Sequence, residues 1–361
     1  MNTVNQSSKE ILSQLHSVPV SGTLRYSLNQ RAIASVRGGS FDLEQLLSGV
    51  ATVAIGGHTN PDGDCVGSCM GLYLYLLKNY PKIEVDVYLE EIPPAFHLLS
   101  HTEDIKHTIR TDKQYDLFIC LDCGDLNRLG FSISLFERAK KTLCIDHHIS
   151  NQGFADLNYI VTSASSTSEM VFYLFEKQRI PPESATALYL GIIHDTGVFQ
   201  YSSTSPDTMR VAAELLAMGV NGYQVVDETY YSKSYIQNRV LGKVLAGSQL
   251  VLENRGIISI LSKQEREALE ATIHDLDGIV SVLRTTKGVN VAIFVYEVEP
   301  HQYKVSLRST EAIDVRLVAE AFGGGGHQRA AGVAMVGSVE EIKEKLIGEI
   351  RKQISKQIDK G

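Results

Sequence analysis

Apolar runs of strand length alternate with helical stretches in the first half of the chain. These runs lie at 50–56, 85–89, 117–121 and 142–145, and each is followed by a polar or acidic cluster. Apolar residues from Val66 to Leu77 recur at helical spacing between the first two runs. This alternation predicts an α/β domain with a mainly parallel sheet that helices flank on both faces.

The second half carries a different pattern, in which helical spacing over 168–246 comes first and paired strands follow. Strand-like runs lie at 249–253, 256–261, 289–297 and 302–308, and a final helix begins near 338. The last two runs flank Glu299-Pro300-His301, which predicts an antiparallel hairpin in a smaller α+β domain with a mixed sheet. We therefore expect an N-terminal extension (1–40), a first domain (41–224), a helical connector (225–246) and a second domain (247–361).

The composition favours a two-domain cytoplasmic protein. With 361 residues, 43% of them hydrophobic, the chain can bury a sizeable core. No apolar run in the sequence reaches the roughly 18 residues that cross a bilayer, and residues 1–40 lack the pattern of a secretory signal. Five cysteines, an odd number, argue against a disulfide framework. Cys120 and Cys123 have CxxC spacing, but they lie in an apolar run, so we expect them to pack in a strand.

The net charge limits the kind of partner. The formal charge of the chain is −8, whereas proteins that bind long nucleic acid through its phosphates carry a broad basic surface. A nucleic-acid partner is therefore expected to be short, or to be contacted at one end. Divalent cations among carboxylates would offset the negative charge locally, so phosphorylated small molecules remain compatible with this composition.

Clusters of metal-ligating side chains begin where apolar elements end. They are HTNPDGD (58–64) after the first strand, Asp122 and Asp125 after the third, Asp146-His147-His148 after the fourth, and His194-Asp195 at the end of a helix. The carboxyl ends of parallel strands form one rim of a sheet. We therefore expect the first three clusters to converge in space, although about 90 residues of sequence separate them.

Each cluster by itself has an ordinary structural explanation, because Asp-Gly and Asn-Pro are common in turns and an Asp after a strand often caps a helix. Their joint occurrence favours a metal centre. Asp and His ligands without Cys suit manganese best, with magnesium or cobalt as alternatives. The candidate ligands exceed what one ion needs, so we expect two ions about 3.5–4 Å apart that activate a water for attack at phosphorus.

A glycine-rich run near the C-terminus is the second candidate site. Gly323 to Gly326 precede His327, and by itself such a run is as often a flexible loop as a ligand site. The strand 302–308 that precedes it ends in basic and hydroxyl side chains. Because glycine lets backbone amides approach an anion closely, we expect this region to bind phosphate. The residues are Arg308, Ser309, Gly325, Gly326, His327 and Arg329.

With these motifs in this order, the chain resembles the DHH phosphoesterase family from about residue 41 to its end. HTNPDGD, LDCGD, Asp146-His147-His148 and GIIHDTG match motifs of the family's catalytic domain, and GGGGH matches the signature of its associated C-terminal domain. The resemblance implies an activated water as the nucleophile. It also implies that His148 faces the substrate phosphate, either as an acid group or as a residue just outside the metal ligands. It also implies the metal ligands, which are His58 and Asp62 for one ion, Asp64, His147 and Asp195 for the other, and Asp122 between them.

The layout is similar to the family's bifunctional enzymes, which degrade oligoribonucleotides of a few nucleotides to mononucleotides and remove the 3'-phosphate of adenosine 3',5'-bisphosphate. This similarity implies a hydrolase with short RNA or small nucleotides as partners, and neither long duplex nucleic acid nor membrane. Whether the protein is a homodimer is left open. A soluble phosphodiesterase of linear or cyclic diadenylate is the nearest alternative. A nucleotide-binding regulator without turnover is another.

Overall fold

The computed structural model describes residues 42–110 and 112–358, so the predicted N-terminal extension (1–40) lies outside the described residues. The side chains of His327 and of residues 355–358 are also outside this description. The chain forms two compact units, and the boundary between them in sequence falls between Ser232 and Lys233. Each unit contains its own sheet.

The first unit alternates strands and helices. Its strands are β1 (Thr52–Gly56), β2 (Glu84–Tyr88), β3 (Leu117–Leu121), β4 (Thr142–Asp146) and β5 (Leu157–Ile160). Its α-helices are α1 (Leu43–Leu47), α2 (Gly63–Asn79), α3 (Ile133–Arg138), α4 (Thr167–Leu174), α5 (Pro182–Asp195), α6 (Pro206–Ala217) and α7 (Gly222–Val226). Short 3-10 segments lie at Pro94–Leu98, Thr102–Asp104, Leu126–Ser132 and Lys177–Arg179, and a π-helical turn lies at Asp227–Tyr231.

The strands of the first sheet pair in parallel, in the order β2-β1-β3-β4-β5. This confirms the predicted fold class for the first half of the chain. From β1 the sheet extends to β2 on one side and to β3 on the other, so the strand order reverses at the β1–β3 pair. Open α/β sheets bind ligands in the crevice outside the carboxyl ends of strands at such a reversal. The sequence clusters that follow β1, β3 and β4 are therefore neighbours at this crevice.

Burial on both faces explains why these strands are continuous apolar runs rather than alternating ones. Every residue of β3 and β4 is buried. On β1, Val53 and Ile55 join the apolar cluster that contains α2, whereas Ala54 joins the cluster that contains residues of α3. Cys120 and Cys123 belong to that second cluster as free, buried thiols, so the CxxC pair packs in the core, but only Cys120 lies in a strand.

Helices α2 and α5 pack closely because glycines occupy their crossing. A Cβ on Gly67 would lie 2.5 Å from the carbonyl oxygen of Ala187, and one on Gly71 would lie 2.5 Å from Leu188 Cδ2. Near the start of α2, a Cβ on Gly63 would lie 2.3 Å from Cγ of His194, close to the end of α5. The helices therefore run antiparallel, and the start of α2 lies beside the end of α5.

The second unit is built on a mixed sheet. Its strands are β6 (Gln249–Val251), β7 (Gly256–Leu261), β8 (Val291–Glu299), β9 (Gln302–Ser309), β10 (Gly325–His327) and β11 (Ala330–Val336). Its helices are α8 (Tyr235–Ala246), α9 (Lys263–Ala268), α10 (Ile279–Arg284), α11 (Val315–Glu320) and α12 (Val339–Ile358), with a 3-10 segment at His274–Leu276. The sheet order is β10-β11-β9-β8-β7-β6. The β8–β9 pair is the predicted antiparallel hairpin, and β7–β8 is parallel, which confirms a mixed sheet.

The stretch 225–246, predicted as one helical connector, is interrupted. Helix α7 continues into the π-helical turn, which ends at Tyr231, and Ser232 then has an extended backbone. Ser234 starts α8 with a capping box, in which its hydroxyl accepts from Gln237 N at 3.0 Å. Val240 and Val244 of α8 pack in a core cluster with Ile257 and Phe294, so this helix is part of the second unit. Within residues 42–110 and 112–358, the structure contains no helix with the length and apolar character of a membrane span.

The α2–α5 crossing leads to a stability prediction. We expect Gly67→Ala to lower the free energy of unfolding of the first unit by at least about 1–3 kcal/mol, because the new methyl group overlaps backbone atoms of α5. Gly242→Ala on the exposed side of α8 is the control, since a Cβ there meets nothing within 4 Å. The control should be neutral or stabilising by about 0.5–1 kcal/mol. Denaturant unfolding followed by circular dichroism measures both, and equal stability of the two variants would contradict the packing described.

Candidate metal centre

The predicted ligands meet at the carboxyl end of the parallel sheet. His58 follows β1, Asp122 follows β3 and His147 follows β4, and these strands are adjacent. Asp195 is the last residue of α5, and the antiparallel pairing of α2 and α5 places it near Asp64 in the first turn of α2. The side chains that the sequence singled out are thus brought to one place by the strand order and one helix pair.

The ligand atoms form overlapping groups, within each of which the atoms lie less than 4.8 Å apart. The groups are His58-Asp62-Asp122, Asp64-His147-Asp195 and Asp122-His147-His148. Asp122 lies between the first two, because its Oδ2 is 3.5 Å from His58 Nε2 and its Oδ1 is 3.6 Å from His147 Nε2. In the second group, His147 Nε2 is 3.1 Å from Asp195 Oδ2. Asp122 therefore lies between two groups of candidate ligands.

The candidate site combines buried carboxylates with carboxylates that are partly exposed to solvent. The side chains of Asp64 and Asp122 are 0% and 3% exposed, whereas those of Asp62 and Asp195 are 60% and 30% exposed. A substrate can therefore approach from the side of Asp62 and Asp195, while the two buried carboxylates form the floor.

The start of α4 holds both floor carboxylates in place. Asp64 accepts from the backbone N–H groups of Thr167, at 2.6 Å to Oδ2, and Ser168, at 2.9 Å to Oδ1. The hydroxyl of Thr167 donates to Asp122 Oδ1 at 3.1 Å. N-terminal amides of a helix have no partner within the helix and favour negative charge. They therefore compensate part of the cost of burying Asp64.

The HTNPDGD loop is held by hydrogen bonds on each side. Nδ1 of His58 is 2.9 Å from the carbonyl oxygen of Thr59, so it acts as the donor there and Nε2 faces the carboxylates. Asp62 caps α2, since its Oδ1 accepts from Asp64 N and Cys65 N at 3.1 Å. The backbone N–H of Asn60, a residue with φ of 53°, donates to Glu90 at 2.7 Å.

Asp122 has a left-handed backbone, with φ of 56°. Asp tolerates this conformation better than most residues because its short side chain can bond locally, but the conformation still carries strain. Its backbone N–H donates to Ile145 O at 3.1 Å, which ties it to the end of β4. Strained residues of this kind concentrate at functional sites.

His148 is oriented by a buried carboxylate. Its Nδ1 donates to Asp146 Oδ1 at 2.7 Å, and the other oxygen of Asp146 accepts from Asn151 Nδ2 at 2.7 Å. Burial raises the pKa of Asp146, but the hydrogen bonds from His148 and Asn151 outweigh it and keep this pKa below its usual value. Burial lowers the pKa of His148, but the neighbouring Asp146 and Asp122 raise it above the usual histidine value.

The electrostatics of the site call for positive charge. Burial, followed by the charges of Asp122 and Asp195, raises the pKa of Asp64 well above its usual range. Burial lowers the pKa of His147, but Asp195, Asp122 and Asp64 outweigh it and raise this pKa to about 10. Burial also lowers the pKa of His58, but Cys65, Asp122 and Asp62 raise it to about 12. Protons on Asp64, His147 and His58 thus supply positive charge where metal cations would otherwise supply it. The carboxylate and imidazole donors therefore fit divalent metal ions.

Two members of the sequence clusters lie apart from the ligand groups. Asp125 caps the 3-10 segment after β3, where its Oδ1 accepts from Asn127 N at 2.8 Å. The three ligand groups found among the described residues do not include His194, whose Nε2 is 3.0 Å from Thr229 Oγ1. Neither residue is among the metal ligands that the family resemblance implies.

The glycine run of the second unit is a turn and an edge strand rather than a flexible loop. Gly323 has φ of 80°, and a Cβ on Gly324 would lie 2.4 Å from Gly332 O, so β11 packs directly against this backbone. Gly325 and Gly326 belong to β10, which pairs with β11.

The polar side chains expected beside that run have different surroundings. Arg308 lies at the end of β9 and its Nη1 donates to Leu307 O at 3.0 Å. Ser309 is buried and donates to Ile313 O at 2.6 Å, so its hydroxyl stabilises the turn after β9. Arg329 is exposed and pairs with Glu311 at 2.7 Å. The backbone of His327 ends β10.

Sequence reasoning missed the residues that position the ligands. Thr167, Ser168 and Asn151 each bond to a carboxylate of the site, although none of them is an expected ligand. The pattern Ser-x-x-Glu at Ser166–Glu169 does indicate a helix start. Its contact with Asp64, more than 100 residues earlier, depends on tertiary structure and leaves no local pattern.

A model of the DHH family N-terminal domain matches residues 52–192, and a model of the DHHA1 domain matches residues 258–356. A crystal structure of an exopolyphosphatase-related protein from Bacteroides fragilis has a TM-score of 0.80 and 26% identity, and the match covers 86% of this chain and 94% of that one.

Curated relatives carry one recurring description. The bifunctional oligoribonuclease and PAP phosphatase NrnA of Thermus thermophilus is 29% identical over 84% of this chain and 90% of its own length. The protein with the same description from Bacillus subtilis is 26% identical, over 81% and 92%. A probable bifunctional oligoribonuclease and PAP phosphatase NrnA of Streptococcus mutans is 30% identical, over 78% and 88%.

The protonated imidazoles lead to a prediction about metal uptake. His58 and His147 carry protons at neutral pH because their pKa values are raised, and each must lose its proton to ligate a metal. We therefore expect manganese binding to release at least about two protons per chain and to tighten as pH rises towards 10. Calorimetric titration in buffers of different ionisation enthalpy measures the release. His107→Gln, outside the clusters, should leave the count unchanged, and a binding enthalpy independent of buffer would contradict the prediction.

Proposed function

Because the chain belongs to the DHH family and carries the DHHA1 domain in its second unit, we propose that this phosphoester hydrolase degrades short oligoribonucleotides to mononucleotides and removes the 3'-phosphate of adenosine 3',5'-bisphosphate. The position of Asp122 between two ligand groups is the observation that carries the proposal. The descriptions of the Thermus, Bacillus and Streptococcus relatives support the choice of substrate. The charge of −8 supports short substrates over long ones.

We assign His58 and Asp62 to one divalent cation, Asp64, His147 and Asp195 to the other, and Asp122 to both. Manganese is the proposed metal, because the donors are carboxylates and imidazoles. When bound, such a pair of ions lowers the pKa of an attacking water and stabilises the charge that develops at phosphorus. The helix start at Thr167 and the left-handed backbone of Asp122 hold the floor carboxylates before any substrate arrives.

His148 is the proposed general acid. Its Nδ1 proton is committed to Asp146, which fixes the orientation of the ring and turns Nε2 away from that carboxylate. The raised pKa of His148 favours a second proton on the ring. His148 would then donate its Nε2 proton to the leaving oxygen of the phosphoester, while the Asp146 carboxylate stabilises the ring in its charged form.

The second unit is proposed to bind a phosphate or nucleotide of the substrate. β10 ends the sheet order of the described residues, so its outer edge can offer backbone amides of Gly325 and Gly326 to an anion. Arg308 and Arg329 add guanidinium groups, and His327 is included because it completes the GGGGH motif. Ser309 would not contact the anion, because its hydroxyl donates to the Ile313 carbonyl oxygen.

The central test compares two neighbouring aspartates. We expect Asp122→Asn to lower manganese-dependent release of mononucleotides, and of phosphate from adenosine 3',5'-bisphosphate, by at least about 100-fold, because both proposed ions lose the charged oxygen of the carboxylate assigned to them. Asp125→Asn is the matched control, since Asn caps a helical segment as well as Asp does. The control should keep its activity.

The same assay separates the rival functions. A di- to pentanucleotide ladder, adenosine 3',5'-bisphosphate, linear diadenylate and cyclic diadenylate are measured side by side with manganese. Faster turnover of a diadenylate would replace the proposed substrates, and binding without turnover under any divalent metal would favour a regulator. Full activity of the Asp122→Asn protein would remove the shared-carboxylate assignment.

The role of His148 predicts a pH profile. Activity should fall as pH rises through the raised pKa of His148, because the protonated ring is the acid. Asp146→Asn removes the charge that supports this proton, so the basic limb of kcat should move to lower pH. His148→Gln should lose the limb together with most of the rate. An unchanged basic limb in Asp146→Asn would show that another group is the acid.

A further inference from the structure

His194 joins the metal centre to the segment that follows α7. The imidazole packs on the HTNPDGD loop, where a Cβ on Gly63 would lie 2.3 Å from its Cγ. Its Nε2 is 3.0 Å from the hydroxyl of Thr229, and that hydroxyl donates to Val225 O at 2.6 Å. The hydroxyl therefore accepts from His194, whose Nε2 carries the proton.

The π-helical turn at Asp227–Tyr231 places aromatic rings beside His194. The ring centroid of Tyr230 is 5.5 Å from that of His194, and the centroid of Tyr231 is 5.3 Å from that of Tyr230. The ring of Tyr231 is 54% exposed. Short π-helical turns are rare and are found frequently at functional sites.

Tyr201 adds a further ring from the segment after α5. Its backbone N–H donates to Thr196 O at 2.9 Å, which keeps it within a tight turn of Asp195. One face of the ring is supported by Gly197, where a Cβ would lie 2.5 Å from Tyr201 Cζ, yet the residue is 51% exposed. Burial, followed by the neighbouring hydroxyl of Tyr201, raises the pKa of Tyr230, so Tyr201 lies beside Tyr230 and the three tyrosines form one cluster.

We propose that Tyr201 and Tyr231, supported by Tyr230, form a tyrosine platform on which a nucleobase of the substrate stacks. The inference rests on the proposed function and deepens it, because it places base recognition in the first unit beside the metal ligand Asp195. Stacking on aromatic rings accepts every base, since each base has a π-face. Such a platform suits an enzyme that must degrade short RNA of any sequence.

The location of the tyrosine platform favours a nucleobase over an apolar protein segment. Tyr201 follows Asp195 within one tight turn, and Tyr230 contacts His194, the residue before Asp195. These rings therefore lie beside the metal centre, where the sugar and base of a bound phosphoester could reach them. Tyrosine rings are apolar on their faces and polar at the hydroxyl, so they can meet both a base and a ribose.

The test separates the base from the sugar phosphate. Binding of AMP and of ribose 5-phosphate to the manganese-loaded full chain is measured by calorimetry. We expect Tyr201→Ala and Tyr231→Ala each to weaken AMP binding by about 5- to 100-fold, and to leave ribose 5-phosphate binding unchanged. Tyr231→Phe should keep most of the AMP affinity because it keeps the ring. Tyr223→Ala removes an exposed tyrosine of α7 and is the matched control, which should bind AMP normally.

The outcomes distinguish this inference from the proposed function. Unchanged AMP binding in both alanine variants, equal losses for AMP and ribose 5-phosphate, or no AMP binding by the unsubstituted chain would overturn the tyrosine platform. Thermal unfolding confirms that the variants are folded. If AMP binding depends on Tyr201 and Tyr231 but no oligoribonucleotide is hydrolysed, the platform stands and the proposed function falls. If hydrolysis occurs and AMP binding ignores both tyrosines, the reverse holds.

Discussion

Asp64 and Asp122 place two carboxylates in the buried floor of the metal centre, and much of the first unit is arranged around the free-energy cost of that burial. An isolated buried charge is strongly unfavourable unless hydrogen bonds and opposite charges compensate it. The amides at the start of α4 compensate Asp64 in part, and the Thr167 hydroxyl does so for Asp122. The charge that remains holds protons on His58 and His147 and makes the site a place for cations.

The sheet and one helix pair bring these charges together. The strand order reverses at β1 and β3, and this opens a crevice where the loops with the candidate ligands begin. The loop after β4 lies beside them. The glycines of α2 and α5 let the two helices approach closely, so that the first turn of α2 lies next to the end of α5. Packing in the core and chemistry at the rim are therefore set by the same residues, as Gly63 between Asp62 and Asp64 illustrates.

The strand ends that carry the ligands could be predicted because parallel strands buried on both faces appear as unbroken apolar runs, and polar residues stop those runs abruptly. Strand β5 could not be predicted in this way, because two of its four residues, Asn158 and Tyr159, are not aliphatic and interrupt the apolar run. β10 consists of two glycines and a histidine, so its pairing with β11 contradicts local propensity. The roles of Thr167 and Asn151 follow from long-range contacts, which the sequence pattern does not contain. The tyrosine cluster depends on a π-helical turn, which apolar periodicity does not reveal.

Two cations that share the carboxylate of Asp122 would explain the chemistry proposed for the site. Anomalous diffraction from crystals grown with manganese would locate the ions themselves. We expect two peaks about 3.5–4 Å apart on either side of Asp122, one near His58 and Asp62 and the other near Asp64 and Asp195. A single peak, or peaks away from Asp122, would contradict this expectation.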